Sequence, residues 1–128
     1  MNRKMKHIES REDIKLLVDQ FYQKLLADEL IGYLFTDIAK LDMEVHLPVM
    51  YDFWETMLLD HMIYTGNPME KHLALNQKEK LLSEHFDRWL MHWENTVQQN
   101  FEGENADKAI ERARNIALLM RYKVGQEF

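Results

Sequence analysis

Helix-breaking residues are scarce in this chain, whose 128 residues include only four glycines and two prolines. Residues of high helix propensity (Leu, Met, Glu, Lys and Ala) are plentiful, so helix is favoured along most of its length. The sequence shows no alternating strand pattern, no repeat and no interdomain linker. It therefore predicts an all-α protein with one domain spanning residues 1–128, in which residues 1–9 form a flexible N-terminal segment.

Apolar residues recur at helical spacing in four long segments, each of which predicts a helix. The first helix is predicted to run from the capping box of Ser10 and Asp13 to about Ala27, and the second from Leu41 or Met43 to Leu59. The third is predicted to run from a capping box at Asn76 and Glu79 to about Asn100. The fourth follows a break at residues 101–105. Residues 28–37 predict a turn and a short helix. Because proline lacks an N–H donor, Pro48 predicts that the regular part of the second helix begins near His46 or bends there.

The stretch from Asn67 to Asn76 predicts a two-turn helix that carries His72. Asn67 suits the N-cap, Pro68 suits the first helical position, and Glu70 completes a capping box. Helices shorter than about 12 residues are marginal in water, so this one needs support from outside itself. Ordinary packing and a ligand bound through His72 both fit that requirement.

The charge balance excludes several partners. The chain has 22 acidic and 16 basic residues, and its net charge of -6 repels nucleic acid and anionic membrane surfaces. The absence of cysteine rules out disulfides and thiolate metal sites. The first residues are too charged for a signal peptide, and no apolar run approaches the roughly 18 residues of a membrane span. We therefore expect a soluble cytoplasmic protein.

Several catalytic chemistries lack their residue patterns. No glutamate precedes a histidine by three residues and no two histidines are four residues apart, which disfavours di-iron carboxylate and zinc sites. The chain contains no recognisable hydrolase or transferase motif and no glycine-rich phosphate loop. Six histidines, nine methionines and a heavy load of aromatic residues instead suit haem, a flat apolar macrocycle whose iron takes an axial nitrogen ligand.

Three segments carry a specific family resemblance. The sequences HLPVMYDFWETMLL at 46–59, KHLALN at 71–76 and HFDRWLMHW at 85–93 resemble the group III truncated haemoglobins of bacteria, in the same order and at the same separation. The resemblance extends over about residues 10–122. It implies a truncated, 2-on-2 globin fold in which four long helices and several short ones surround haem b.

The resemblance also implies roles for individual residues. His72 matches the proximal ligand of the haem iron. Tyr22 and Trp89 match hydrogen-bond donors to the bound ligand, and His46 matches a distal histidine that gates access, contacts the ligand or swings away. The pocket walls are expected to include Phe35, Met50, Phe53 and Trp54, while Lys71 and Arg88 either meet the haem propionates or remain solvated.

The function implied by the resemblance is binding of oxygen, nitric oxide and carbon monoxide. Two donors in the distal pocket predict slow oxygen release. That behaviour favours sequestration or redox detoxification of oxygen, nitric oxide or peroxide over bulk transport. Dioxygenase-like or peroxidase-like turnover would require a reductase that the sequence does not name, and both a monomer and a weak homodimer fit. The alternative is a cofactor-free helical interaction domain that retains a globin core.

Overall fold

The structure is a computed structural model that describes residues 5–125, apart from the side chain of Met69. It contains the helices α1 (Arg11–Ala27), α2 (Met43–Leu59), α3 (Pro68–Lys78), α4 (Ser83–Asn100) and α5 (Glu104–Gly125), with a π-helix at Leu34–Ile38 between α1 and α2. Within residues 5–125, the only extended pairing is an isolated bridge between Lys6 and Phe101. The all-α prediction is confirmed. None of the described helices is both long and apolar enough to cross a membrane.

Helix α1 begins where the capping pattern predicts. The Ser10 side chain accepts a hydrogen bond from the backbone of Asp13, and the Asp13 carboxylate accepts from the backbone of Ser10, so two free N–H groups are satisfied. Buried apolar residues then follow at helical spacing: Ile14, Leu17, Val18, Phe21 and Leu25. This face packs against α2 and α4 and forms one wall of the core.

Helix α5 packs closely against α4 because its inward face is built from small residues. Ala106, Ala109, Ala113 and Ala117 are all buried. The indole N–H of Trp93 on α4, a side chain with no solvent exposure, donates to the carbonyl of Ala109 at 3.0 Å. An alanine face thus leaves room for a large aromatic side chain at the centre of the protein.

The second helix starts earlier than Pro48 led us to expect. Regular helix begins at Met43, with the Asp42 side chain accepting from the backbone of Glu44 at 3.1 Å, and Pro48 lies inside it. The prediction of a start near His46 is therefore wrong, whereas the predicted range from Met43 to Leu59 is confirmed. Proline in the second turn removes a single backbone hydrogen bond, and the Asp42 cap helps to offset that loss.

The predicted start of the third long helix is also wrong. Asn76 lies inside α3, and its side-chain oxygen accepts from the backbone of Leu81 at 2.8 Å. Helix α4 begins at Ser83, where the Nδ1 atom of His85 accepts from the backbone of Leu82 at 3.0 Å. Helix α3 therefore has 11 residues, and residues 79–82 separate it from α4.

Part of the predicted N-terminal segment makes specific contacts. Residues 1–4 lie outside the described part of the chain. The Lys6 side chain lies 2.7 Å from a carboxylate oxygen of Asp13, and the Lys6 carbonyl accepts from the backbone of Glu102 at 3.0 Å. Ile8 is fully buried. From Lys6 onward, the N-terminal segment is therefore held against the rest of the protein, including the connection between α4 and α5.

Candidate functional site

A cavity of about 220 Å³ lies among the helices, with residues of α1, α2, α3, α4 and α5 in its wall. Most of the wall is apolar or aromatic. The predicted site residues that line it are Tyr22, Phe35, His46, Met50, Phe53, Trp54, Lys71, His72 and Trp89. Segments distant in the sequence therefore meet around one space.

His72 enters the cavity wall from α3 with a defined protonation pattern. Its Nδ1 atom lies 2.7 Å from the carbonyl oxygen of Pro68. A carbonyl oxygen can only accept, so Nδ1 carries the proton and Nε2 keeps a free lone pair. Burial lowers the pKa of His72, although the hydrogen bond to Pro68 opposes that shift. The side chain is thus a neutral imidazole with one nitrogen available to a metal.

Tyr22 and His46 form a polar pair in the same wall. The Tyr22 hydroxyl lies 2.8 Å from Nε2 of His46, and the two rings meet edge to face. Burial raises the pKa of Tyr22, so the phenol stays protonated. The pKa of His46 is lowered by burial and also by the nearby charge of Lys71. The pair is therefore neutral and can supply hydrogen bonds within an apolar cavity.

Aromatic rings form much of the remaining wall. Phe21 meets both Trp89 and Trp93 edge to face, with ring centroids 6.0 Å and 5.1 Å apart. Trp54 stacks on Trp93 with centroids 4.3 Å apart and an interplanar angle of 22°. Such contacts hold rings in fixed orientations and present flat surfaces to the cavity.

Arg88 is the predicted site residue that the structure places elsewhere. It does not line the cavity, and its Nε atom lies 3.2 Å from the Asp28 carboxylate at the end of α1. Successive residues of a helix diverge by about 100°, so a helix that turns Trp89 toward the cavity turns Arg88 away from it. The predicted propionate contact of Arg88 therefore has no support in this arrangement.

His85 and Tyr64 are polar lining residues that received no cavity role from the sequence. His85 caps α4 and also reaches the cavity wall, and Tyr64 enters from the loop between α2 and α3. Loop residues follow no apolar period, so periodicity carried no signal for Tyr64. Only the three-dimensional path of the loop brings its side chain to the cavity.

The donor set fits haem. It combines one neutral imidazole with a free nitrogen, flat aromatic walls, two neutral polar groups and a lysine at the cavity. An axial nitrogen on one side of a flat apolar group, with hydrogen-bond donors available to a small ligand, is the arrangement that haem chemistry requires.

Comparison with known proteins agrees with this geometry. The family model for bacterial-like globins matches residues 6–122, and the chain belongs to that family. It is 32% identical over 122 residues to the group 3 truncated hemoglobin ctb of Campylobacter jejuni, with 91% of this chain and 94% of that protein covered. The crystal structure of group III truncated hemoglobin from Campylobacter jejuni superposes with a TM-score of 0.80 at 28% identity, covering 94% of this chain and 95% of that one.

Within the bacterial-like globins, the similarity is to the group III truncated haemoglobins, as the three sequence segments predicted. The predicted truncated globin fold is likewise confirmed. Membership of the globin family implies binding of haem and of diatomic ligands such as oxygen.

Proposed function

We propose that this protein binds haem b through His72 and holds a diatomic ligand under Tyr22, Trp89 and His46. The observation that carries the proposal is the 2.7 Å distance between Nδ1 of His72 and the carbonyl oxygen of Pro68, because that acceptor draws the proton to Nδ1 and leaves Nε2 free. Haem b is the form we infer, because a chain without cysteine cannot form the thioether attachments of a c-type haem. When bound, haem supplies an iron that takes small ligands and transfers single electrons.

The neutral state of His72 has a direct chemical use. A protonated imidazole has no lone pair for iron, so the lowered pKa keeps the side chain competent as a ligand near neutral pH. The carbonyl of Pro68 fixes the tautomer and the ring orientation, in the way that outer partners commonly orient metal-binding histidines. Both features come from one turn of α3.

The polar side chains of the cavity support retention of a ligand. The Tyr22 hydroxyl and the Trp89 indole are neutral donors, and each hydrogen bond to a ligand contributes about 1 kcal/mol net, with more in a dry cavity. Two such donors slow ligand release. We therefore infer sequestration or redox detoxification of oxygen, nitric oxide or peroxide, and not bulk oxygen transport. Turnover would draw electrons from a reductase.

Absorption spectroscopy tests the cofactor and its ligand together. The parent protein supplied with haem should show a Soret band in the ferric, ferrous and ferrous-carbonyl states. His72→Ala should lose or shift that band, while the control His61→Ala, which changes an exposed histidine outside the cavity wall, should match the parent. No Soret band in the parent, or an unchanged band in His72→Ala, would overturn the proposal.

A further inference from the structure

Tyr51 lies outside the cavity wall and has its own proton acceptor. It is half-buried on α2, and its hydroxyl donates to the Asp19 carboxylate on α1. Burial and this hydrogen bond raise the pKa of Tyr51 to about 12, so the phenol keeps its proton at neutral pH. A phenol that loses an electron must also lose its proton, and here a carboxylate is already bonded to the hydroxyl that would release it.

Trp54 connects this tyrosine to the cavity. It follows Tyr51 by three residues, so the two side chains lie on the same side of α2, with Cβ atoms about 5–6 Å apart. Trp54 is buried, lines the cavity and stacks on Trp93, with ring centroids 4.3 Å apart. In a chain without cysteine, indole and phenol are the side chains that give up single electrons most readily. The three rings thus form a route from the cavity to a partly exposed residue.

Tyr22 is a competing tyrosine, and charge distinguishes it from Tyr51. The Tyr22 hydroxyl lies 2.8 Å from Nε2 of His46. Oxidation of Tyr22 with transfer of its proton to that nitrogen would create an imidazolium inside an apolar cavity, which burial disfavours. The same step at Tyr51 would leave a neutral radical beside a neutral carboxylic acid. It creates no buried charge, so the Tyr51 pair is the favoured site.

Two cations near the Tyr51 ring oppose its oxidation only weakly. The Arg11 guanidinium lies 5.8 Å and the Lys15 ammonium 5.9 Å from the ring centroid. Arg11 is paired with Asp52 at 2.9 Å, and the side chain of Lys15 is 40% exposed, so a counter-charge and water screen both cations. The Asp19 carboxylate is bonded directly to the hydroxyl, and its effect on the ring is therefore the stronger one.

We propose that Tyr51 is a one-electron oxidation site, which is oxidised from the cavity through Trp54 and passes its phenolic proton to Asp19. This inference rests on the proposed haem function, and the oxidant it requires is hydrogen peroxide. The site lies outside the cavity wall and is partly exposed, so a soluble phenol can reach it without entering the cavity. Tyr51 would thus extend the chemistry of the cavity to substrates too large to enter it.

The electrons and protons of this step balance. Hydrogen peroxide takes up two electrons and two protons from its surroundings as its O–O bond breaks, and two water molecules form. One electron comes from the cofactor and the other from Tyr51, whose O–H bond breaks as Asp19 becomes a carboxylic acid. A soluble phenol then returns one electron to Tyr51 and releases its own proton to water, while the proton on Asp19 moves back to the tyrosine oxygen.

Electron paramagnetic resonance of the ferric holoprotein, frozen shortly after mixing with hydrogen peroxide, tests this assignment. The parent should give a tyrosyl radical signal that Tyr51→Phe abolishes. Asp19→Asn keeps a hydrogen-bond acceptor but not a base, so the radical should form about a hundredfold more slowly. Tyr122→Phe is the control, since it changes an exposed tyrosine outside the cavity wall and should match the parent. A signal that persists in Tyr51→Phe and disappears in Tyr22→Phe would overturn the assignment.

Pulse radiolysis separates the route through Trp54 from the haem function. Azide radicals oxidise tryptophan side chains without any cofactor, and the tryptophan radical should then pass to Tyr51 at a rate independent of protein concentration. Trp54→Phe should slow this transfer, and Asp19→Asn should slow it about a hundredfold. A rate unchanged in Asp19→Asn, or tyrosyl radical formation unchanged in Tyr51→Phe, would overturn the inference. A parent without a Soret band would remove the haem function, whereas a holoprotein that consumes peroxide without a radical at Tyr51 would overturn the inference alone.

Discussion

Asp28 joins α1 to α4 at the end of α1, and its loss should destabilise the fold although Asp28 does not line the cavity. The carboxylate lies 2.7 Å from Nε2 of His92 and 2.9 Å from the backbone nitrogen of Leu30. Hydrogen bonds to a charged group each contribute about 1.5–3 kcal/mol. The contact with Arg88 adds less than about 1 kcal/mol, because 43% of that side chain is exposed. We expect Asp28→Ala to lower the free energy of unfolding by about 2–4 kcal/mol.

Urea denaturation followed by circular dichroism measures this loss. Asp87→Ala is the matched control, because it removes a carboxylate that pairs with Arg121 at an exposed position and should cost less than about 1 kcal/mol. Asp28→Asn keeps the shape and an acceptor for Leu30, so it should fall between Asp28→Ala and the parent. If Asp28→Ala lies within about 0.5 kcal/mol of the Asp87→Ala control, the reasoning from these hydrogen bonds is refuted.

Asp28→Ala should also affect ligand binding in the cavity. Helix α1 carries Tyr22 and α4 carries Trp89, so a looser junction between these helices displaces one donor relative to the other. Asp28→Ala should therefore speed the release of a bound ligand even though Asp28 does not line the cavity. Stopped-flow measurement of oxygen dissociation checks this effect, and a rate equal to that of the parent would contradict the coupling.

Three further outcomes follow from the site. Tyr22→Phe and Trp89→Phe should each raise the oxygen dissociation rate about fivefold or more in stopped-flow measurements, and unchanged rates would refute their role as donors. The pKa values of His46 and His72 are lowered in the folded state. As the pH falls below about 6.5, the unfolded chain therefore binds more protons than the folded chain does. The haem-free protein should lose stability over that range, by at most about 1.4 kcal/mol per pH unit for each group. Urea midpoints between pH 7.5 and 5 should show this slope, and His46→Gln with His72→Gln should flatten it. Trp93→Phe should cost about 2–3 kcal/mol in urea denaturation, since it removes the indole hydrogen bond to α5 and leaves unfilled space at a fully buried position, and a cost below that of Trp89→Phe would contradict this.

The sequence predicted those elements whose signals are local. The capping box of Ser10 and Asp13 and the apolar period after it determined the start of α1, because both interactions lie within a few residues. The Asn76 and Glu79 pattern did not predict the start of α4, and the reason is the small energy of local interactions. A capping motif contributes only about 1 kcal/mol, so tertiary contacts decide which of several polar residues starts the helix, and here the chain uses Asn76 to bond Leu81.

The residues predicted to line the cavity could be named because they match a known family, whereas the hydrogen bonds and ion pairs between residues could not. Tyr22 and His46 are separated by 24 positions, and nothing in either neighbourhood encodes their hydrogen bond. Arg88 precedes Trp89 in the sequence, and a contact with the cofactor was one of its predicted roles. Nothing in the sequence around Arg88 indicates that it pairs with Asp28 instead. Tyr64 required the path of an irregular loop, which no periodic pattern describes.

The aromatic wall of the cavity has an optical consequence. The chain contains three tryptophans, Trp54, Trp89 and Trp93, and all three line the same cavity. Every strong intrinsic fluorophore of the protein is therefore adjacent to the place where a light-absorbing cofactor would lie. Occupancy of the cavity should extinguish most of the tryptophan emission through energy transfer, and departure of the cofactor should restore it. The protein thus carries its own reporter of haem capture and loss, without any attached label.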